Sequence, residues 1–208
     1  MTTTPGAELR ARIAQDAARP AEIARFLDGL SHADRVLAIR DLRRGDQRRL
    51  YEAVDGFASV TLADLVPPGV AAMQPVRHYG KNTLPAFTHF EKRLLRPEGE
   101  DAAKPSELFG FNFQTMSPVT GPGYFVTVPN PEREDREVWF DYRRVPAVPA
   151  SELPPDWPPV RPNERGLSVL VYAHMVDTLR RVSEHVTIGS AAKKGRDIGS
   201  WFALCREA

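Results

Sequence analysis

At 208 residues the chain is long enough to bury a core without disulfides or metals, and its 42% hydrophobic and 26% charged residues exclude a wholly disordered protein. With 28 Lys+Arg against 27 Asp+Glu, the net charge of +1 supplies no global field to gather nucleic acid or an anionic membrane, so neither is expected as a partner. A lone Cys205 excludes an internal disulfide, the start MTTTPGAELR lacks a signal-peptide pattern, and no apolar run reaches the roughly 20 residues of a membrane helix, so a cytoplasmic location is expected.

In chain order, Leu9, Ile13 and Ala17 predict a helix over 7–18, and Pro20 opens a second with Ile23, Phe26, Leu27 and Leu30 on one face. Ser31, with Asp34 in the favourable first turn, caps a third helix carrying Val36, Leu37 and Leu42. Gly45 interrupts, Asp46 caps a fourth helix carrying Leu50, Tyr51 and Val54, and Gly56 suits its C-terminal end. Val66-Pro67-Pro68-Gly69-Val70 is a break, and it divides a helical N-terminal segment (1–66) from a second domain (70–208).

In the second domain, Thr83 before Leu84-Pro85 predicts a helix over 84–96 through Phe87, Phe90, Leu94 and Leu95, ended by Pro97. Phe109, Phe111 and Phe113 alternate with Gly110, Asn112 and Gln114, the period of a strand, and 124–128 and 138–145 are the next two. Prolines crowd 145–162 and forbid regular structure there. The spacing of Val169, Tyr172, Met175, Val176, Leu179 and Val182 predicts a long helix over 167–183, with Asp177, Arg180 and Arg181 on its polar face. Two more strands, 186–188 and 201–205, flank a polar turn at Lys194-Gly195-Arg196-Asp197. The expected fold is therefore α+β: a short helical segment, then an antiparallel sheet of about five strands packed with two longer helices.

The most concentrated polar signal is Arg77-His78-Tyr79-Gly80-Lys81-Asn82, leading toward His89, Glu91, Lys92, Arg93 and Arg96. A glycine-containing basic loop entering a helix is a cradle for a carboxylate or phosphate, although such charge runs more often mark a solvated face. The loop 115–123, rich in glycine and proline and carrying Ser117 and Thr120, can close over a pocket. Five histidines form no HExxH or HxH pattern, so no metal is expected, and no sequence feature names a cofactor. Asp141 alternates with Trp139 and Arg143, as a pocket carboxylate or as half of a surface ion pair.

The leading expectation is an aromatic-lined pocket for a small lipophilic or anionic ligand, bound by Arg77, His78, Lys81, Phe111, Phe113, Ser117 and Tyr124. An enzyme using His78 or His89 with Asp141 or Glu91 as an acid–base pair is the second reading. The third is a protein–protein interaction module docking a partner, or a second copy, through the N-terminal helices.

Overall fold

The computed structural model describes residues 3–15, 19–85, 88–113, 122–163 and 172–207. Four helices come first: α1 (Pro5–Ile13), α2 (Pro20–Asp28), α3 (His32–Arg40) and α4 (Arg44–Ala53). Their starts follow from local chemistry. Thr4 Oγ1 accepts the Ala7 N–H at 3.3 Å ahead of Pro5, and Ser31 Oγ accepts the Asp34 N–H at 3.2 Å. Asp46 stands inside the first turn of α4, where its carboxylate accepts the Arg43 N–H at 2.9 Å. Gly45 therefore lies within α4 and does not interrupt before it. A one-turn helix α5 (Leu62–Leu65) follows, its Asp64 carboxylate accepting from both the N–H and the hydroxyl of Thr61.

The rest of the chain is a closed antiparallel barrel of eight strands joined in sequence order: β1 (Val76–Asn82), β2 (His89–Leu95), β3 (Leu108–Phe113), β4 (Tyr124–Pro129), β5 (Val138–Asp141), β6 (Met175–Arg181), β7 (Val186–Lys193) and β8 (Arg196–Arg206). β8 pairs back onto β1, which removes every sheet edge. Lys194 and Gly195 both take positive φ, 53° and 74°, and so form the two-residue turn that suits the twist of the β7–β8 hairpin.

This overturns the α+β expectation and its five strands on two long helices. The predicted helix over 84–96 is a connection leading into β2, with Phe87 outside the described residues. The predicted helix over 167–183 is, in its described part, a turn followed by β6. The basic stretch read as a loop is β1. One physical cause accounts for β2 and β6. Their inward positions read Phe90, Lys92, Leu94 and Met175, Asp177, Leu179, so a charge stands where alternation calls for an apolar residue.

Among the described residues, three apolar clusters hold the fold. Inside the barrel, Val76, Leu94, Leu108, Phe125, Phe140, Leu179 and Leu204 meet Leu62, Leu65 and Val66, so α5 and its neighbours plug one end. On the outside, α1–α4 lay Leu9, Ile13, Ile23, Leu27, Ile39 and Leu50 over Val186, Ile188, Ala203 and Cys205 of β7 and β8. Arg180 reinforces this junction, since its guanidinium lies 4.1 Å from the Tyr51 ring centroid and donates to buried Glu137 at 2.9 Å. On another outer face, the proline-rich segment packs Leu153 and Trp157 onto Phe109, Phe111, Tyr124 and Val126. Asn163 pins that segment by donating to the carbonyls of Tyr124 and Tyr142 at 2.7 and 2.8 Å. Among the described residues, no helix is long and apolar enough to cross a membrane.

Inside the barrel, three glycines face phenylalanines directly across the ladder: Gly80 with Phe90, Gly110 with Phe125 and Gly189 with Phe202. Each ring lies over its glycine, and a Cβ added there would come within 2.6, 2.6 and 2.2 Å of ring carbons respectively. Missing side chains on one strand make room for large ones on the next, which sets where the interior is solid and where it is hollow.

Candidate functional site

An eight-stranded barrel is just wide enough to be filled by side chains or to hold one small ligand. Here the two halves differ. Toward α5 the interior is packed, whereas toward the β1–β2 and β7–β8 connections it contains a cavity of about 310 Å³. Its wall is mainly apolar, from Leu84, Phe90, Tyr172, Met175, Ala191, Ile198, Trp201 and Phe202, with Asn82 and Ser200 also lining it, and Leu84 and Ile198 are exposed beside it. At its inner end stand four polar side chains, Lys92, Asn112, Tyr142 and Asp177, all buried.

β2 and β6 stand four places apart in the ring of eight, so Lys92 and Asp177 reach toward each other across the interior. Nζ of Lys92 lies 3.7 Å from Oδ2 of Asp177, an ion pair too long to be a hydrogen bond. The same ammonium donates to Asn112 Oδ1 at 2.8 Å and to the Tyr142 hydroxyl. Asn112 is itself held, donating from Nδ2 to the carbonyl of Gly123 and to the Tyr142 hydroxyl, each at 3.1 Å. Aromatic faces surround the ammonium, with the ring centroids of Phe125 and Phe140 at 4.7 Å, Tyr142 at 5.0 Å and Phe202 at 5.1 Å. Oδ1 of Asp177 accepts no hydrogen bond from the described residues.

Electrostatics follow from this geometry. Burial pushes the Lys92 ammonium below the ordinary lysine range, and the Asp177 charge pulls it partly back. Burial raises the Asp177 carboxyl, and the Lys92 charge opposes that rise. Burial, followed by the nearby Asp177 charge, keeps the Tyr142 phenol protonated far above its usual range. A buried ion pair of this kind adds little net stability, because desolvating both charges offsets their attraction. Its place at the end of a cavity is what makes it the candidate site.

The residues singled out from sequence fall elsewhere. Arg77 is exposed on the outside of β1, and its backbone N–H donates to Glu207 at 2.6 Å. Lys81 Nζ donates to the Thr88 hydroxyl at 3.0 Å and does not line the cavity. Phe111 and Tyr124 belong to the outer cluster, with Trp157 centroids 4.8 and 6.1 Å from theirs. Phe113 is 47% exposed beneath the Arg93 guanidinium. Ser117 lies outside the described residues.

The proposed acid–base partners are likewise scattered. His89 is exposed at the start of β2, Glu91 pairs with Arg93 at 3.5 Å, and Asp141 is bound by Arg143 at 2.8 Å. His78 does point into the barrel, but at the packed end, where Nε2 meets the Leu65 carbonyl at 3.0 Å. No group of three or more His, Cys, Asp or Glu side chains is gathered to hold a metal among the described residues.

His78 carries a testable pH dependence. Burial first, with the charges of Arg206 and Lys92 adding to it against the Leu65 hydrogen bond, holds its pKa down to about 3 from 6.5. Between these values the unfolded chain binds the proton and the folded one does not. Stability is therefore expected to fall as pH drops below 6.5, by at most about 1.4 kcal/mol per unit from this group. Urea titrations of wild type and His78→Gln across pH 4–7 check this. Parallel curves for the two proteins would remove His78 as the cause.

Of the residues the sequence reading missed, Lys92, Asn112, Tyr142 and Asp177, the two charged ones left a signal. Phe90-x-Lys92-x-Leu94 and Met175-x-Asp177-x-Leu179 each place one charge, of opposite sign, in an otherwise apolar alternation. Comparisons with protein-family models, with curated proteins and with solved structures each return no match to this chain.

Proposed function

We propose that the barrel is a carrier or receptor for one small, mainly apolar molecule with an uncharged polar head. The observation that carries this reading is the cavity of about 310 Å³ whose apolar wall ends on the Lys92–Asp177 pair. Lys92 is already neutralised by Asp177, and an incoming carboxylate would meet the Asp177 charge. A hydroxyl or other N–H or O–H head can instead donate to Asp177 Oδ1, which accepts no hydrogen bond from the described residues. The aromatic-lined, lipophilic half of the sequence expectation is kept with a different set of residues, and the anionic half gives way to this charge argument.

Trp201, on the cavity wall, reports occupancy by fluorescence. In titrations with 1-nonanol and nonanoate at pH 7.5, the alcohol is expected to quench with the higher affinity. Ala191→Phe, which fills the cavity from β7, is expected to abolish the response while lowering the stability from urea denaturation by no more than about 3 kcal/mol. Equal response of wild type and Ala191→Phe would show that the probe binds elsewhere, and tighter binding of nonanoate would overturn the head-group assignment.

A further inference from the structure

We propose that Lys92 is a nucleophile that captures aldehyde ligands in the barrel as an imine. This rests on the cavity reading above and adds aldehydes to its ligands, uncharged heads whose carbonyl meets Lys92 and Tyr142 instead of donating to Asp177. Lysine is the cation whose amine becomes reactive when taken out of water, and carbonyl compounds are its usual covalent partners. Lys92 lies where a molecule filling the cavity must end, and Tyr142 and Asp177 supply the proton partners at that place.

The step balances within this cluster. Nζ of Lys92 gives one proton to the Asp177 carboxylate, converting a buried ion pair into a neutral amine and carboxylic acid. Burial displaces the two groups toward each other in proton affinity, which lowers the energy of this exchange. The amine lone pair attacks the carbonyl carbon, and the carbonyl oxygen takes up a proton through the Tyr142 hydroxyl that touches Nζ, yielding a carbinolamine. The carbinolamine nitrogen loses its extra proton to the tyrosine, restoring the phenol. Asp177 then protonates the departing hydroxyl, water leaves, and the nitrogen lone pair closes the C=N bond. The resulting iminium carries its positive charge amid the rings of Phe125, Phe140 and Phe202, opposite the regenerated carboxylate. An aldehyde plus the ammonium gives an iminium plus water, with no oxidant or reductant required.

Chain composition makes the test selective, because Lys81, Lys104, Lys193 and Lys194 do not line the cavity. Full-length protein is incubated with an equimolar amount of nonanal and sodium cyanoborohydride at pH 7.5, and the reduced adduct is mapped by peptide mass spectrometry. Positioning in the cavity is expected to favour Lys92 over every other lysine by about tenfold or more. The label at Lys92 is expected to disappear in Ala191→Phe, which keeps the lysine and loses the space. Even labelling of all lysines, or labelling of Lys92 that survives in Ala191→Phe, overturns the proposal. The 1-nonanol titration separates the two readings: quenching by the alcohol without selective labelling defeats the imine and leaves the binding site. Absence of both defeats the binding site as well.

Discussion

Lys92→Met is expected to lower the stability of the protein by about 3–5 kcal/mol at pH 7.5, because it leaves the Asp177 carboxylate buried without its partner. Methionine keeps the apolar stem, so little of this loss comes from packing. In the variant, the folded-state pKa of Asp177 rises above its unfolded value. The penalty is therefore fully present at pH values above that folded pKa and shrinks as pH falls toward the unfolded carboxylate range. Adding Asp177→Leu removes the second charge and is expected to recover most of the loss, since apolar pairs often replace buried ion pairs without harm. Urea denaturation of wild type, single and double variants gives the three numbers. A single variant as stable as wild type at pH 7.5 would mean that water reaches Asp177, and would remove the dry polar end on which the site depends.

Gly189→Ala is the second. Its Cβ would fall 2.2 Å from Cζ of Phe202, so the ring must swing away from β7, and the space beside it is the cavity. Overpacking of this kind costs about 1–3 kcal/mol. The larger consequence is for binding, because Phe202 forms both the cavity wall and one face of the cage around Lys92. Loss of the 1-nonanol response is expected together with a lower urea midpoint. Gly69→Ala is the control, since nothing lies within 4 Å of the added atom and its change should stay within about 0.5 kcal/mol. If Gly189→Ala proves as mild as Gly69→Ala, the ring is free to move and the glycine does not shape the cavity.

Lys92→Met acts on β2, where the sequence misled. A strand with an uninterrupted apolar or aromatic face on either side announces itself, and β3, β4, β5, β7 and β8 were all legible in part. Phe109, Phe111 and Phe113 do alternate with smaller residues, but the face they share turns outward, to Trp157 for Phe111 and to solvent for Phe113. Periodicity identifies a common face; it cannot tell which side of the sheet that face lies on when both sides are covered.

Sequence alone determined the starts of α2 and α3, through Pro20 and Ser31, and the absence of α-helix or strand from the proline-rich segment apart from one 3-10 turn at Ala150–Glu152. These are decided within a turn or two of chain, by caps and by the fixed φ of proline. Closure of β8 onto β1, the outward turn of the aromatic strands, and the meeting of Lys92 with Asp177 were decided only by the tertiary structure. A lysine on β2 and an aspartate on β6 each look like surface charge locally. Only a closed barrel brings opposite strands within reach of its axis, where each charge makes the burial of the other tolerable.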